Sequence, residues 1–472
     1  MISRGLGLLA CAVGLGLTLL AASNAAAQDW PQWRGPTGSG AAAPDAAPPT
    51  KWSETENMRW KVQIPGSGRS SPIVSGKHVF VETAIPVAKN APAARGADAG
   101  AGEVQLVQQE RPPRGPGGRG PGGPGGRGGF GRGGPAPTEA YQFALLCLDR
   151  ATGKILWQKI AKQEVPHEGL GNRDSTYAPA SPVTDGKLVW AYFGSRGLHC
   201  YDYEGNLKWS KDLGRMQTKM SFGEGSSPAL HGDTIVINWD HEGEDFVVAL
   251  DKTTGKELWR TPRDEQTSWA TPIVVEQDGK AQVVTAASSK VRAYDLKTGK
   301  QLWEVGPLTA NAIPSPVAGD GMIFATSGFR GAALFAIKPG GSGDLKGTES
   351  IAWTHNKGTP YVPSPLLYDG RLYFFSGNNN VLTCLDAKTG KPVIDSQRVE
   401  DLQGNVYASP VGAGGKVYLV ARGGATVVIK ASDKLEVLAT NQLDEQFDAS
   451  PAVAGKELFL RGQQHLYCIA EK

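Results

Sequence analysis

Residues 227–259 read SPALHGDTIVINWDHEGEDFVVALDKTTGKELW. A Ser-Pro step leads to a Gly turn, an apolar run, a second apolar run ending at Asp251, a Gly-Lys turn and a closing Leu-Trp pair. Residues 271–303, TPIVVEQDGKAQVVTAASSKVRAYDLKTGKQLW, repeat the phrase 44 positions later. Turn residues punctuate the chain too closely for helices, so the apolar runs read as short strands.

Working outward, Ser-Pro or Thr-Pro recurs at Ser71, Ser181, Ser227, Thr271, Ser315, Ser364, Ser409 and Ser450, eight starts in all. After a first gap of 110, the spacings are 46, 44, 44, 49, 45 and 41. A period near 45 with about four short strands per unit is the signature of a propeller blade. The eighth unit reaches Lys472 without a last strand, while Met58-Arg59-Trp60-Lys61 looks like that strand and precedes the first start. Pairing the two closes the ring and removes an open sheet edge. The expected fold is therefore all-β: an eight-bladed propeller of four-stranded blades over residues 52–472, its last blade closed by an N-terminal strand.

Two side-chain patterns follow the repeat. Trp157, Trp209, Trp259 and Trp303 each stand four residues after a Gly, and Trp60 and Trp353 occupy matching places. On an outer strand each can bury its ring against the next blade and donate its N–H, acting as a staple between blades. Ile394 and Leu438 are expected to take this place in blades six and seven. Cys147, Cys200, Cys384 and Cys468 share a slot that holds Ala249, Ala293 and Ala336 elsewhere, so they read as small buried hydrophobes. A disulfide needs Cα atoms within about 7 Å, too close for equivalent points of neighbouring blades, so free thiols are expected.

The net charge of +3 makes no global demand for nucleic acid or an anionic membrane. Arg4, the apolar stretch Leu6 to Ala22 and the small residues Ala25-Ala26-Ala27 read as a cleavable signal peptide over 1–27, followed by an extension over 28–51. Leu8-Leu9-Ala10-Cys11 faintly resembles a lipoprotein signal but leaves almost no apolar region before the Cys. No later stretch is apolar for long enough to span a bilayer. Residues 86–140 interrupt blade one, and their Gly/Pro/Arg-rich centre has too few apolar groups to offset the entropy of ordering, so disorder is expected there.

Ser-Pro starts, Ala-Leu-Asp strand ends, Gly-Lys turns and outer-strand Trp residues together resemble the tryptophan-docked PQQ-like repeats. The resemblance covers roughly residues 52–470, less the insertion. Such rings are carried by quinoprotein alcohol dehydrogenases and by the non-catalytic propeller of the outer-membrane β-barrel assembly machinery. Asp29-Trp30-Pro31-Gln32-Trp33-Arg34-Gly35-Pro36 is also similar to a common opening of exported PQQ-like proteins.

Chain direction places the turns between strands two and three on one face with the links to the next blade, here called the upper face. Binding residues concentrate on such loops. Candidates are Asn172, Arg173, Asp174 and Tyr177 on one long link, and Asp240, His241 and Glu242 in an acidic turn of blade three. Arg263, Asp264 and Trp269 follow on the next link, and Tyr361 and Tyr407 stand just before Ser-Pro steps near the axis. The carboxylates of 240–245 suit Ca²⁺ by type but not by spacing, and pairing of Asp240 with Arg263 is the plainer reading. No Gly-x-Ser-x-Gly, His-Glu-x-x-His or phosphate loop is present. The expectation is an exported, periplasmic or secreted, non-catalytic scaffold of the cell envelope. The resemblance implies envelope or outer-membrane assembly proteins as partners. The alternative is a dehydrogenase of alcohols or sugars dependent on PQQ and Ca²⁺, although the adjacent Cys pair typical of that family is missing.

Overall fold

The computed structural model describes residues 29–87, 137–171 and 174–471. Among them, eight sheets form eight blades in chain order. Blade 3 is representative: Ala229–His231, Thr234–Trp239, Phe246–Asp251 and Glu257–Pro262 pair antiparallel in sequence order. First strands are short and lie against those of neighbouring blades, which puts them innermost, around the axis. In blade 1 the ladder runs out to Pro86 opposite Tyr141, so the insertion leaves from the turn between strands two and three, on the upper face. The expected signal peptide and the centre of the insertion lie outside the described residues.

Ring closure is as the sequence implies. Met58–Gln63 pairs antiparallel with His465–Ile469, setting Trp60 opposite Cys468 and Gln63 opposite His465. Blade 4 carries an addition: Gly343–Asp344, from the long turn of blade 5, pairs parallel with its fourth strand.

The Ser-Pro steps explain themselves at the axis. The Ser71 N–H donates to Ser181 Oγ at 2.9 Å, and Ser181 N–H to Ser227 Oγ at 3.0 Å. The chain continues through Thr271, Ser315, Ser364, Ser409 and Ser450 at 2.8–3.0 Å. Seven links thus run around the ring in one direction. A buried N–H must find an acceptor, and here the next blade's hydroxyl supplies it. The Pro that follows has no N–H to leave unmet.

Five outer-strand tryptophans each staple their blade to the next. The Trp60, Trp157, Trp209, Trp259 and Trp353 indoles donate to the carbonyls of Arg150, Tyr203, Lys252, Leu296 and Ala387 at 2.8–3.1 Å. Each ring lies on a turn glycine of the receiving blade. Gly153, at φ +72°, sits so close beneath Trp60 that a Cβ would overlap the indole. Trp303 departs from this expectation: its N–H stays in its own blade, on Gln282 Oε1 at 2.8 Å. The turn of blade 5 is too long to offer the usual carbonyl, and its 343–344 strand lies beside Trp303 instead.

Register also explains the cysteine slot. Trp60, Trp157 and Trp209 stand opposite Cys468, Cys147 and Cys200, and Trp259, Trp303 and Trp353 opposite Ala249, Ala293 and Ala336. Large faces small. Ile394 faces Cys384 in blade 6 as expected. In blade 7 the position belongs to Ala439, not Leu438: Val428 fills the slot itself, and Leu438 points outward. All four cysteines are buried and free.

The extension crosses the lower face. Trp30 bridges Val74 in blade 1, Thr184 N–H of blade 2 donates to Pro31, and Gly40–Ala42 exchange backbone bonds with Gly412 in blade 7. Arg34 is buried beneath the axis, donating to the carbonyls of Ser39 at 3.0 Å, Pro410 at 2.6 Å and Pro365. Burial pulls its pKa down to about 9.

Candidate functional site

The extension crosses the lower end of the axis, and the candidate mouth is at the upper end. A cavity of ≈ 290 Å³ lies there, with Trp33 of the extension reaching it and seven of the eight ring Ser/Thr residues on its wall. Its rim carries Phe222, Trp269, Tyr361 and Tyr407. The Trp269 N–H is fixed on the Gly223 carbonyl at 2.7 Å, and the Tyr361 ring stacks on Phe329 at 4.7 Å. These aromatics are held in place but remain part-exposed, an arrangement suited to gripping an apolar or planar group.

Charge is gathered on one side of the mouth. Asp448, buried, lies 3.0 Å from Arg69 and 3.2 Å from Arg422. Arg422 also pairs with Asp174 and stacks over Tyr407 at 5.1 Å. Burial raises the Asp448 pKa against the pull of the two arginines, and the Arg422 bond lowers that of Asp174. The charges alternate, so the network offers oriented polar partners rather than a net field.

The predicted site residues separate into three places. Asp174, Trp269, Tyr361 and Tyr407 line the axial cavity together. Tyr177 lies in a smaller neighbouring pocket with Glu168 and Arg196. Asn172 and Arg173 lie outside the described residues. The acidic turn forms a third cluster, folded inward. Asp240 accepts from Arg263 Nε at 2.6 Å and Nη2 at 3.1 Å, both side chains fully buried. Ser268 Oγ and Asn238 Nδ2 complete its shell at 2.5 and 2.9 Å. Arg263 Nη1 reaches Thr285 and Tyr294, each at 2.7 Å. His241 is engaged through both ring nitrogens, with Gly243 N–H at 2.9 Å and the Glu244 carbonyl at 3.0 Å. Glu242 is exposed and accepts from the Thr267 hydroxyl at 2.7 Å, while exposed Asp264 pairs with Arg292 at 2.6 Å. The buried part of this cluster joins blades 3 and 4 and presents no free ligand to solution.

Sequence reasoning missed Arg69, Arg422 and Asp448. They lie in blades 1, 7 and 8, and each looks like an ordinary loop charge. Arg69 and Asp448 each stand two residues before a Ser-Pro step, which was the one signal; Arg422, in a turn of blade 7, carried none.

The family described as outer membrane protein assembly factor BamB matches residues 142–396 and 378–472. The chain belongs to this family. Among solved structures, this BamB-family chain is similar to a europium-containing methanol dehydrogenase, at 9% identity and TM-score 0.59 over 93% of this chain and 90% of the other. It is also similar to the quinohemoprotein alcohol dehydrogenase of Comamonas testosteroni, at 10% identity and TM-score 0.57 over 96% and 82%. BamB of Moraxella catarrhalis matches at 14% identity and TM-score 0.49 over 70% and 93%. Identities this low speak to fold alone. No curated protein matches.

The dehydrogenase likeness raises a quinone and Ca²⁺, and the axial acids do not fit the ion. Calcium takes six to eight oxygens, usually with several carboxylates. The three acids on this wall are each held by arginine: Asp174 by Arg422, Asp448 by Arg69 and Arg422, and Glu224 by Arg196 at 3.1 Å. Among the described residues no three His, Cys, Asp or Glu side chains converge as a metal site.

Proposed function

We propose that this BamB-family propeller is an exported, non-catalytic scaffold of the cell envelope that receives a protein partner in its axial mouth. Residues 1–27 serve as the signal peptide, 28–51 as the lower-face cover and 52–472 as the propeller. The observation that carries the reading is the mouth itself: fixed aromatics and a paired charge network around a cavity of ≈ 290 Å³, closed below by the extension. Rigid aromatics beside satisfied polar groups are the composition of a binding hot spot. The name of the matching family supports partners among outer-membrane assembly proteins.

The test is capture from an envelope extract by the purified protein, with Trp269→Ala/Tyr361→Ala beside it. The wild type should retain an outer-membrane assembly protein and the double variant should lose it. Equal capture by both refutes the mouth, and capture of no assembly component refutes the partner class. Adding PQQ with Ca²⁺ should leave the melting temperature unchanged. A cofactor bound at 100 times its Kd would instead add about 2.7 kcal/mol.

A further inference from the structure

We infer that a side cavity between blades 8 and 1 is an oxyanion site built on Arg461. It deepens the reading of the upper mouth as a binding site, but Arg461 lies outside the axial lining, so the two can fail separately. The cavity measures ≈ 320 Å³, and its walls include Arg69, Thr176, Gln446, Asp448 and Arg461. Arg69, Thr176 and Asp448 also face the axial mouth, which makes the two spaces neighbours.

Arg461 ends the second strand of blade 8, Glu457–Arg461, and is 1% exposed. Its Nε, Nη1 and Nη2 have no hydrogen-bond partner among the described residues. The contrast is clearest with Arg263, whose side chain is also fully buried and whose three guanidinium nitrogens are all bonded, while buried Arg34 leaves only its Nε unmet. Glu445 is the carboxylate whose charge acts on Arg461, but its oxygens are already taken. They accept from Tyr467 Oη at 2.6 Å, from His465 N–H and Nδ1 at 2.9 Å each, and from Gln464 N–H. Burial lowers the Arg461 pKa to about 10, with Glu445 opposing.

An unmet buried donor is destabilising, and more so when charged. A cavity of this size holds the missing partner readily. Water would satisfy the N–H groups and leave the charge. A carboxylate or phosphate satisfies both, because its oxygens match the guanidinium fork. A second unmet group points to the same space: Thr176 Oγ1 is buried without a partner on the shared wall. Arg69 adds a second guanidinium there. Asp448 is the one acid on these walls, and Arg69 and Arg422 already flank it.

The probes are sodium phosphate and sodium acetate, added to the purified protein at ionic strength held constant with chloride, read by melting temperature and calorimetric titration. One or both should raise the melting temperature by about a degree or two at saturation. Arg461→Met should melt no lower than wild type in chloride and lose the rise, since its apolar chain removes an uncompensated charge. Thr176→Val, milder for folding, should weaken binding several-fold. A phosphate response alone assigns a phosphorylated ligand, an acetate response alone a carboxylate ligand, and either supports the site. No rise with either anion, or the same rise in Arg461→Met, overturns it. Capture through Trp269 and Tyr361 is scored independently.

Discussion

Asp240→Asn tests whether the acidic turn is a structural joint or a ligand site. In the wild type the carboxylate takes four hydrogen bonds, two from Arg263 and one each from Ser268 and Asn238, in a space with no solvent exposure. Burial alone would lower the Arg263 pKa, but the Asp240 charge raises it far above the usual arginine range. Removing that charge strands a buried guanidinium whose remaining partners are two neutral hydroxyls. Breaking one side of such a pair costs about 3–5 kcal/mol. With an unfolding entropy of about 2.1 cal/mol/K per residue over roughly 400 ordered residues, the melting temperature should fall by about 4–6 °C. Asp240→Leu/Arg263→Met, which removes both charges, should recover at least half of that loss. Glu242→Ala, at an exposed side chain rather than in the joint, should cost under about 1 kcal/mol. Differential scanning calorimetry of the four proteins decides it. An Asp240→Asn melt within a degree of wild type would refute the joint, as would a double variant worse than the single.

Three further outcomes are expected. Trp259→Ala should lose about 2–4 kcal/mol, combining ring burial with the unmet Leu296 carbonyl, seen as a lower urea midpoint; an unchanged midpoint would contradict the staple. Burial pushes the thiols of Cys147, Cys200, Cys384 and Cys468 up to about 12, so a thiol reagent at pH 8 should find none of these four in the native protein and all four in denaturant. For Asp202, burial works against ionisation, but Lys208 and Asn206 outweigh it and lower the pKa to about 2. Because the folded value is below the unfolded one, its contribution is present above pH 3.8 and is lost as pH falls toward 2. Asp202→Asn should flatten that part of the acid unfolding curve, and an identical curve would refute the assignment.

The architecture was legible because it is repetitive. One phrase recurs eight times, and the orphan strand around Trp60 matches the one missing beside Cys468. What the phrase is for was less visible. The ring serines looked like turn residues, since their acceptors lie about 45 positions away and appear only when blades stand side by side. Leu438 was placed one residue off because the turn of blade 7 is longer: Val428 and its partner Ala439 stand 11 positions apart, where Ala249 and Trp259, or Cys384 and Ile394, stand 10 apart. At the site, the aromatics before each Ser-Pro could be located by their distance from a start. Arg69 and Asp448 stand at the same distance but read as ordinary loop charges, and Arg422 and Arg461 have no such marker, since proximity between blades 1, 7 and 8 is a property of closure and not of spacing. The extension's Arg34 was quoted within a similarity, and its task as a cap beneath the axis depends on carbonyls more than 300 positions away.

Closure by strand exchange also sets an order in time. Met58–Gln63 is made early, and its partner His465–Ile469 comes some 400 residues later. Until those last residues arrive, the strand has no ladder to join, Trp60 has only one of its two neighbouring surfaces, and blade 8 cannot exist. A pairing this remote in sequence is slow to form. Completion of the ring therefore waits for His465–Ile469, and a molecule interrupted before that strand would leave Met58–Gln63 without its ladder.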